Sequence, residues 1–148
     1  MKKALFIDRD GTVNRDCPYC HDPADIVIYN DAADLIRRYR SEGYLIVVVT
    51  NQSGINRKYF SIEEMNAFNE VLNSKLRELG SQYDLIYYCP HTPEENCNCR
   101  KPKTGMVERA CRENDIDLSG SVMAGDREDI DGQLARNLGI PFILFSRD

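Results

Sequence analysis

The chain has 148 residues, 42% of them hydrophobic, and a formal net charge of -5 at pH 7. This length predicts a single domain over residues 1–148 with one substantial core. The acidic balance argues against a surface that binds nucleic acid or anionic lipid without sequence preference, and the longest apolar run, 45–49, is too short to span a bilayer. We therefore expect a cytoplasmic monomer that acts on a small molecule, without nucleic-acid or membrane partners. Its six cysteines are expected to be reduced, metal-bound or catalytic rather than paired in structural disulfides.

Segments with strand-like and helix-like periodicity alternate along the chain. Strands are predicted at 4–7, 44–49, 85–88, 121–124 and 142–145, and helices at 31–42, 61–79, 104–114 and 128–138. The longest helix opens with a capping box from Ser61 to Glu64, and its apolar positions are expected in the core: Ile62, Met65, Phe68, Leu72, Leu76 and Leu79. The alternation predicts an α/β fold with a three-layer, doubly wound parallel sheet, whose site lies at the carboxyl ends of the strands.

Two carboxylates follow the first predicted strand directly. Because successive side chains on a strand point to opposite faces, Asp8 and Asp10 are expected to converge on one centre while Arg9 points away. One carboxylate could then attack an electrophile, its neighbour could exchange a proton, and both could hold a divalent cation. A lone Asp-x-Asp-Gly is more often a solvated turn, so this interpretation depends on the later strand ends.

The later strand ends carry groups that suit a phosphoryl group. The second strand is followed by hydroxyl and amide side chains in Thr50-Asn51-Gln52-Ser53-Gly54, and Lys101 offers a compact positive charge. Asp126 closes the fourth strand, with Asp129 and Asp131 close behind it. Each of these features alone has an ordinary structural explanation as a turn, a surface lysine or a helix cap. Together they favour a catalytic site.

In this order, these four strand ends resemble the haloacid-dehalogenase-like phosphotransferase superfamily over nearly the whole chain. The resemblance implies that Asp8 is a nucleophile that becomes an aspartyl phosphate, and that Asp10 is the general acid and base. It also implies that Mg²⁺ is held by Asp8, the backbone carbonyl of Asp10 and Asp126, while Thr50 and Lys101 steady the transferring group. Phosphoryl transfer depends mostly on positioning and charge neutralisation, which agrees with these roles.

One position departs from the superfamily pattern. The family commonly has a second acidic residue four positions after the last aspartate, but Ile130 stands there, between Asp129 and Asp131. Counting back from Gly139 at the end of the helix favours Asp131 over Asp129 as the residue beside the metal site. Arg127 would then lie near the substrate phosphate.

A loop rich in cysteine precedes Lys101. Cys89, His91, Cys97 and Cys99 supply three thiolates and an imidazole, a set that suits a closed, structural Zn²⁺ site. Such a site would stiffen the loop over residues 89–101 and position Arg100 and Lys101.

The cysteine-rich loop also resembles one branch of the superfamily, which contains heptose 1,7-bisphosphate phosphatases and histidinol-phosphate phosphatases. The motifs around Asp8 and Thr50 favour D-glycero-D-manno-heptose 1,7-bisphosphate, with removal of the 7-phosphate, and histidinol phosphate remains the alternative. The resemblance implies that Asp16 and Tyr19 line a sugar pocket and that Arg100 contacts the distal part of the substrate. Asn51, Gln52 and Ser53 are expected to bind substrate through its phosphate oxygens. Without a large cap domain, water exclusion would depend on the 16–23 loop and the zinc loop.

Three other functions remain as weaker alternatives. Cys17-Pro18-Tyr19-Cys20 resembles a glutaredoxin site, but no helix begins directly after it, which argues against a thiol oxidoreductase. A nucleic-acid 3′-phosphatase conflicts with the acidic net charge. A non-catalytic zinc-binding module would lack any dependence on Asp8.

Overall fold

The computed structural model describes residues 1–147. Its five strands are β1 (Ala4–Ile7), β2 (Leu45–Asn51), β3 (Leu85–Cys89), β4 (Val122–Gly125) and β5 (Phe142–Leu144). Its α-helices are α1 (Asn30–Ser41), α2 (Ile62–Glu78), α3 (Gly105–Asn114) and α4 (Gln133–Leu138). None of the described helices is long and apolar enough to cross a membrane.

The strands form one parallel sheet in the order β3-β2-β1-β4-β5. The predicted doubly wound α/β fold is therefore confirmed, with β1 at the centre. Ile7, the last residue of β1, is in register with Val48 of β2 and Ala124 of β4. Because all strands run in one direction, the residues that follow β1, β2 and β4 meet at the same edge of the sheet.

Two hydrophobic layers cover the sheet, one on each face. Ala4 and Phe6 of β1 point into the layer that contains side chains of α3 and α4, whereas Leu5 and Ile7 point into the layer built with α1 and α2. All four are completely buried. A strand covered on both faces must be apolar at every position, which explains the continuous apolar run before Asp8.

The helix α2 follows its predicted pattern in the middle and departs from it at the ends. The capping box forms, since the Ser61 hydroxyl accepts from the Glu64 backbone and the Glu64 carboxylate accepts from the Ser61 backbone. Met65, Phe68, Leu72 and Leu76 are buried, but Ile62 and Leu79 are each 42% exposed. The prediction that these two belong to the core was wrong, because Ile62 is the first residue of α2 and Leu79 follows its last.

The helix predicted at 128–138 begins with a π-helical turn, Glu128–Gly132, before α4. The amide of Gly132 donates to the carbonyl of Arg127 at 3.1 Å, five positions back. A π-helical turn contains one residue more than an α-helical turn. This extra residue shifts the side chains that face the sheet by one position relative to a regular helix.

Candidate active site

Three carboxylates meet at the carboxyl edge of the sheet. Asp8 follows β1, Asp126 follows β4 and Asp131 comes from the π-helical turn, and each contributes an oxygen that lies within 4.8 Å of the others. The Thr12 hydroxyl donates to Asp126 Oδ1 at 3.0 Å and lies 3.4 Å from Asp8 Oδ2. Gly11 brings the chain close to this cluster: its φ is +87°, and a Cβ there would lie 2.5 Å from Asp126 Oδ2. Only glycine fits such an approach.

Lys101 is the cation of this cluster. Its Nζ donates to Asp8 Oδ1 at 2.7 Å and to Asp131 Oδ1 at 2.9 Å, and the residue is 4% exposed. Asn51, at the end of β2, holds the Lys101 backbone, because its Oδ1 accepts from the Lys101 amide at 2.9 Å and its Nδ2 donates to the Lys101 carbonyl at 3.3 Å. Lys101 is therefore fixed at both ends, its ammonium group by Asp8 and Asp131 and its backbone by Asn51.

The pKa values of this pair reflect burial and mutual attraction. Burial raises the pKa of Asp8 well above its ordinary value, while the Lys101 ammonium acts in the opposite direction. Burial alone would lower the pKa of Lys101, but the carboxylates of Asp8 and Asp131 outweigh it and raise that pKa. Lys101 is therefore cationic at neutral pH, and its charge favours the ionised form of Asp8.

Asp10 lies beside this cluster and is held by a different set of donors. The Arg9 guanidinium donates to both of its oxygens, from Nε to Oδ1 and from Nη2 to Oδ2, each at 2.9 Å. The amides of Asn14 and Gln52 donate to the same carboxylate at 3.0 and 3.1 Å. The expectation that Arg9 points away from the site was wrong: strand alternation fixes the direction of the Cβ atom, whereas this long side chain curves back to its neighbour.

Asp131 and Asp129 occupy different environments. Asp131 is 1% exposed and contacts Lys101, and its Oδ2 accepts from the Arg127 amide at 3.3 Å. Asp129 is exposed, and its carboxylate pairs with the Arg127 guanidinium at 2.8 Å. The π-helical turn explains the difference, because its extra residue turns Asp131 toward the sheet, five positions after Asp126.

A cavity of about 440 Å³ opens onto these groups. Most of the predicted site residues line it: Asp8, Asp10, Asp16, Tyr19, Thr50, Asn51, Arg100, Lys101, Asp126, Arg127 and Asp131. Gln52 and Ser53 lie beside it instead, since the Gln52 amide bonds to Asp10 and Thr50 and the Ser53 hydroxyl accepts from Arg57. A larger cavity of about 690 Å³ lies along β3 and α3, away from the three carboxylates. The larger of the two cavities is therefore not the one that most of the predicted site residues line.

The loop at the cavity mouth contains a disulfide between Cys17 and Cys20. The expectation that all six cysteines avoid disulfides was therefore wrong for this pair. Tyr19 between them has a left-handed backbone with φ of 51°, which turns the chain and leaves the two Cα atoms 5.3 Å apart. That separation is the usual one for a disulfide. The Tyr19 ring packs edge-on against Tyr59, with the ring centroids 4.7 Å apart.

The cysteine-rich loop brings its four predicted ligands together. His91 Nδ1 lies 3.3 Å from Cys89 Sγ and 3.2 Å from Cys99 Sγ, and Cys97 Sγ lies 3.6 Å from Cys89 Sγ. The four atoms all lie within 4.8 Å of one another, so this cluster could hold a metal ion. Partial burial opposes ionisation of Cys97, but hydrogen bonds from the amides of Arg100 and Cys99 outweigh it and lower the pKa of this thiol to about 6.

Comparisons with known proteins show the family of the chain. A family model described as "Polynucleotide kinase 3 phosphatase" matches residues 8–144, which include both clusters. The chain belongs to this family of haloacid-dehalogenase-like phosphatases. Among the relatives of this phosphatase, a Thermoplasma volcanium protein named "Probable D-glycero-D-manno-heptose-1,7-bisphosphate 7-phosphatase" is 51% identical over 142 residues, covering 96% of this chain and 97% of the relative.

Two further proteins extend the comparison. The D-glycero-beta-D-manno-heptose-1,7-bisphosphate 7-phosphatase of Helicobacter pylori strain J99 is 43% identical over 127 residues, covering 85% of this phosphatase and 73% of the relative. A crystal structure of D,D-heptose 1,7-bisphosphate phosphatase from B. bronchiseptica, complexed with magnesium and phosphate, matches with a TM-score of 0.86. It is 34% identical, and the match covers 96% of this phosphatase and 79% of that chain.

Proposed function

We propose that this phosphatase removes the 7-phosphate of D-glycero-D-manno-heptose 1,7-bisphosphate through a phospho-aspartyl intermediate on Asp8. The observation that carries the proposal is the buried Asp8 carboxylate, which faces the cavity and is paired with Lys101 at 2.7 Å. The names of relatives that are 43% and 51% identical to this chain support the choice of substrate.

Asp8 is the nucleophile in this proposal. Lys101 holds Asp8 Oδ1, so the carboxylate is oriented before substrate arrives, and the Thr12 hydroxyl lies 3.4 Å from Oδ2. An Asp8 oxygen attacks phosphorus while the bond from phosphorus to the sugar oxygen breaks. The carboxyl group of Asp10 gives its proton to the departing alkoxide. Asp10 then takes a proton from water, whose oxygen attacks the aspartyl phosphate and releases inorganic phosphate and free Asp8.

Lys101 and Thr50 stabilise the transferring group. The Lys101 ammonium lies in the cavity wall, where it can meet a phosphoryl oxygen and offset its charge. The Thr50 hydroxyl oxygen accepts from the Gln52 amide at 2.8 Å, which orients its hydrogen for donation to a second phosphoryl oxygen. Gln52 therefore orients Thr50 and Asp10 and does not contact the substrate itself in this proposal.

The carboxylate cluster fits Mg²⁺. Carboxylate and carbonyl oxygens are the ligands that Mg²⁺ prefers, and the acidic oxygens already converge within 4.8 Å. Asp8, Asp126 and the backbone carbonyl of Asp10 would hold the ion, and Asp131 would support the site through Lys101. When bound, Mg²⁺ supplies positive charge that offsets the repulsion between a carboxylate and a phosphate.

The second cluster fits a structural Zn²⁺. Three sulfur atoms and one imidazole nitrogen would supply all four ligands of a tetrahedral zinc site and would leave no open position for substrate. The Arg100 amide donates to Cys97 Sγ at 3.4 Å, and its guanidinium donates to the His91 carbonyl at 3.3 Å. The cluster would therefore position Arg100 at the cavity wall.

The charges around the cavity favour a bisphosphate over the two alternatives. Arg100 and Arg127 both line it in addition to Lys101, although the Arg127 guanidinium is also paired with Asp129. A second phosphate on the substrate could pair with these cationic side chains, whereas the amine of histidinol phosphate could not. A 3′-phosphorylated nucleic acid, the substrate in the family description, would meet a chain of net charge -5.

A phosphate-release assay tests the proposal. Wild type with Mg²⁺ should hydrolyse heptose 1,7-bisphosphate with a higher kcat/KM than histidinol phosphate or an oligonucleotide 3′-phosphate. Asp8→Asn should lose at least about 1000-fold in kcat while keeping its circular dichroism spectrum, because amide nitrogen and oxygen cannot replace the attacking carboxylate. Asp34→Asn on the exposed face of α1 is the matched control. Full turnover by Asp8→Asn would overturn the mechanism, and preference for another ester would overturn the substrate.

A further inference from the structure

The largest completely buried side chain of the described chain is a cation. Arg9 is 0% exposed, and its guanidinium carbon lies 4.4 Å from the centroid of the Phe68 ring. Burying a charged group is costly unless it is paired and hydrogen-bonded. An apolar side chain would fill this space without the cost of burying a charge. An arginine here is therefore expected to have a role other than packing.

The partners of Arg9 show where its charge is directed. Its Nε and Nη2 donate to the two oxygens of Asp10, which is the only carboxylate that bonds to it among residues 1–147. The other contacts hold the guanidinium itself: Nη1 donates to Asn69 Oδ1 of α2 at 2.9 Å, and Nη2 donates to the Cys20 carbonyl at 3.1 Å. Asn69 and the Cys20 carbonyl therefore hold the guanidinium in place, and its charge faces the carboxylate of Asp10 alone.

We infer that Arg9 is a positioning residue for proton transfer by Asp10, an inference that rests on the proposed function. A guanidinium that binds both oxygens of a carboxylate fixes its plane through one rigid group, whereas Asn14 and Gln52 each donate to one oxygen of Asp10 only. Asp10 has to serve the leaving alkoxide first and a water molecule afterwards, and misplacement of the carboxyl group by about 1 Å is enough to cost roughly 100-fold in rate. Arg9 contacts Asp10 from the protein interior. Asp10 lines the cavity whereas Arg9 does not, so Arg9 does not block the approach of substrate.

A purely structural role for Arg9 makes a different prediction. If Arg9 only stabilised the loop and α2, its replacement would weaken every step of the reaction alike. If it acts through Asp10, the effect should depend on whether the leaving group needs a proton. Nitrophenolate leaves without protonation, whereas a sugar alkoxide does not.

The experiment therefore compares Arg9→Lys with wild type on two substrates in rapid-quench kinetics with Mg²⁺. Arg9→Lys keeps the charge and loses the two-point contact. We expect phosphoenzyme formation from the sugar phosphate to slow by about 10- to 100-fold, and the burst of p-nitrophenolate from p-nitrophenyl phosphate to change by less than about threefold. Arg109→Lys, an exposed arginine of α3, is the control and should match wild type on both substrates. Equal slowing on both substrates would overturn the inference.

A double-mutant comparison separates this inference from the proposed function. In an Asp10→Asn background the Arg9→Lys change should have almost no further effect on the sugar phosphate, because the group that it positions is gone. If Asp10→Asn does not slow the sugar phosphate selectively, the proposed role of Asp10 fails. If it does, and Arg9→Lys still adds its full effect, only the inference about Arg9 fails. Should Arg9→Lys not fold, Asn69→Ala removes one anchor of the guanidinium and should give the same selectivity with a smaller amplitude.

Discussion

Lys101 lies 93 positions after Asp8 in the chain, yet its Nζ is 2.7 Å from Asp8 Oδ1. The same ammonium lies 2.9 Å from Asp131 Oδ1, so one cation joins the segments that follow β1, β3 and β4. Two buried carboxylates that share one cation are stable only while that cation is present. Stability and the proposed chemistry therefore depend on the same three side chains.

Replacement of Lys101 by methionine should reduce both turnover and stability. The variant keeps the length of the side chain but leaves Asp8 and Asp131 without their positive partner, which should lower the free energy of unfolding by about 3 kcal/mol. Urea denaturation without Mg²⁺ measures this change, and kcat should fall by at least about 100-fold because a phosphoryl oxygen loses its ammonium. Lys75→Met on the exposed surface of α2 is the matched control. Wild-type stability for Lys101→Met would show that the buried pair contributes nothing.

The two acidic residues after Arg127 should respond differently to the same substitution. Asp131→Asn weakens the contact that holds Lys101, so kcat should fall by about 10- to 100-fold. Asp129→Asn removes an exposed ion pair, and such pairs contribute about 1 kcal/mol or less, so kcat should stay within about threefold of wild type. Steady-state kinetics on both variants, prepared side by side, measures the difference. The reverse order of effects would mean that the buried carboxylate is not the one that supports the site.

The sequence predicts the carboxyl ends of the strands well because the signals there are local. A buried parallel strand is apolar at every position, so an acidic residue such as Asp8 or Asp126 directly after an apolar run shows where the strand ends. Parallel strands bring such ends together at one edge of the sheet. Spacing of Cys and His likewise predicted which four side chains of the 89–101 loop converge. These inferences need only periodicity and the ligand chemistry of the residues.

The direction of the Arg9 side chain and the π-helical turn could not be predicted, because they depend on contacts with residues far away in the sequence. The direction of the Arg9 side chain is set by Asn69 and by the Cys20 carbonyl, which are 60 and 11 positions away. The π-helical turn stands where an α-helical turn was predicted and brings Asp131 to Lys101, 30 positions away, and a Cβ on Gly125 would lie 2.3 Å from Asp131 Oδ2. In both cases the deciding contacts are between residues far apart in the chain.

Loss of one ligand from the cysteine cluster should release zinc and destabilise the fold. Wild type should contain one zinc ion per chain by elemental analysis, and Cys97→Ser should contain much less, because a neutral hydroxyl replaces a thiol whose pKa is already lowered to about 6. The melting temperature of Cys97→Ser should fall by about 5 °C or more. Cys111→Ser, which changes a free cysteine of α3 outside the cluster, should keep its zinc. Wild-type protein purified without stoichiometric zinc would contradict the assignment.

The pH dependence of stability at alkaline pH should report on Tyr83. Its hydroxyl donates to the Asn69 carbonyl at 2.9 Å, the residue is 8% exposed, and burial raises the pKa of the phenol to about 12. The ordinary pKa of tyrosine is about 10. Between these two values the unfolded chain loses the phenolic proton while the folded chain keeps it, so the stabilisation is complete below pH 10 and is lost as the pH rises toward 12.

A comparison with Tyr83→Phe isolates this contribution from the other groups that titrate at high pH. The free energy of unfolding of wild type, minus that of Tyr83→Phe, should be constant from pH 7 to 9 and then decrease by about 1 kcal/mol by pH 11. Urea denaturation of both proteins at half-unit steps of pH measures the difference. A difference that stays flat to pH 11 would mean that the phenol ionises equally in the folded and unfolded states.

Because Tyr83 holds the backbone of Asn69, the residue that anchors Arg9, the same variant should also show whether the position of α2 affects turnover at neutral pH.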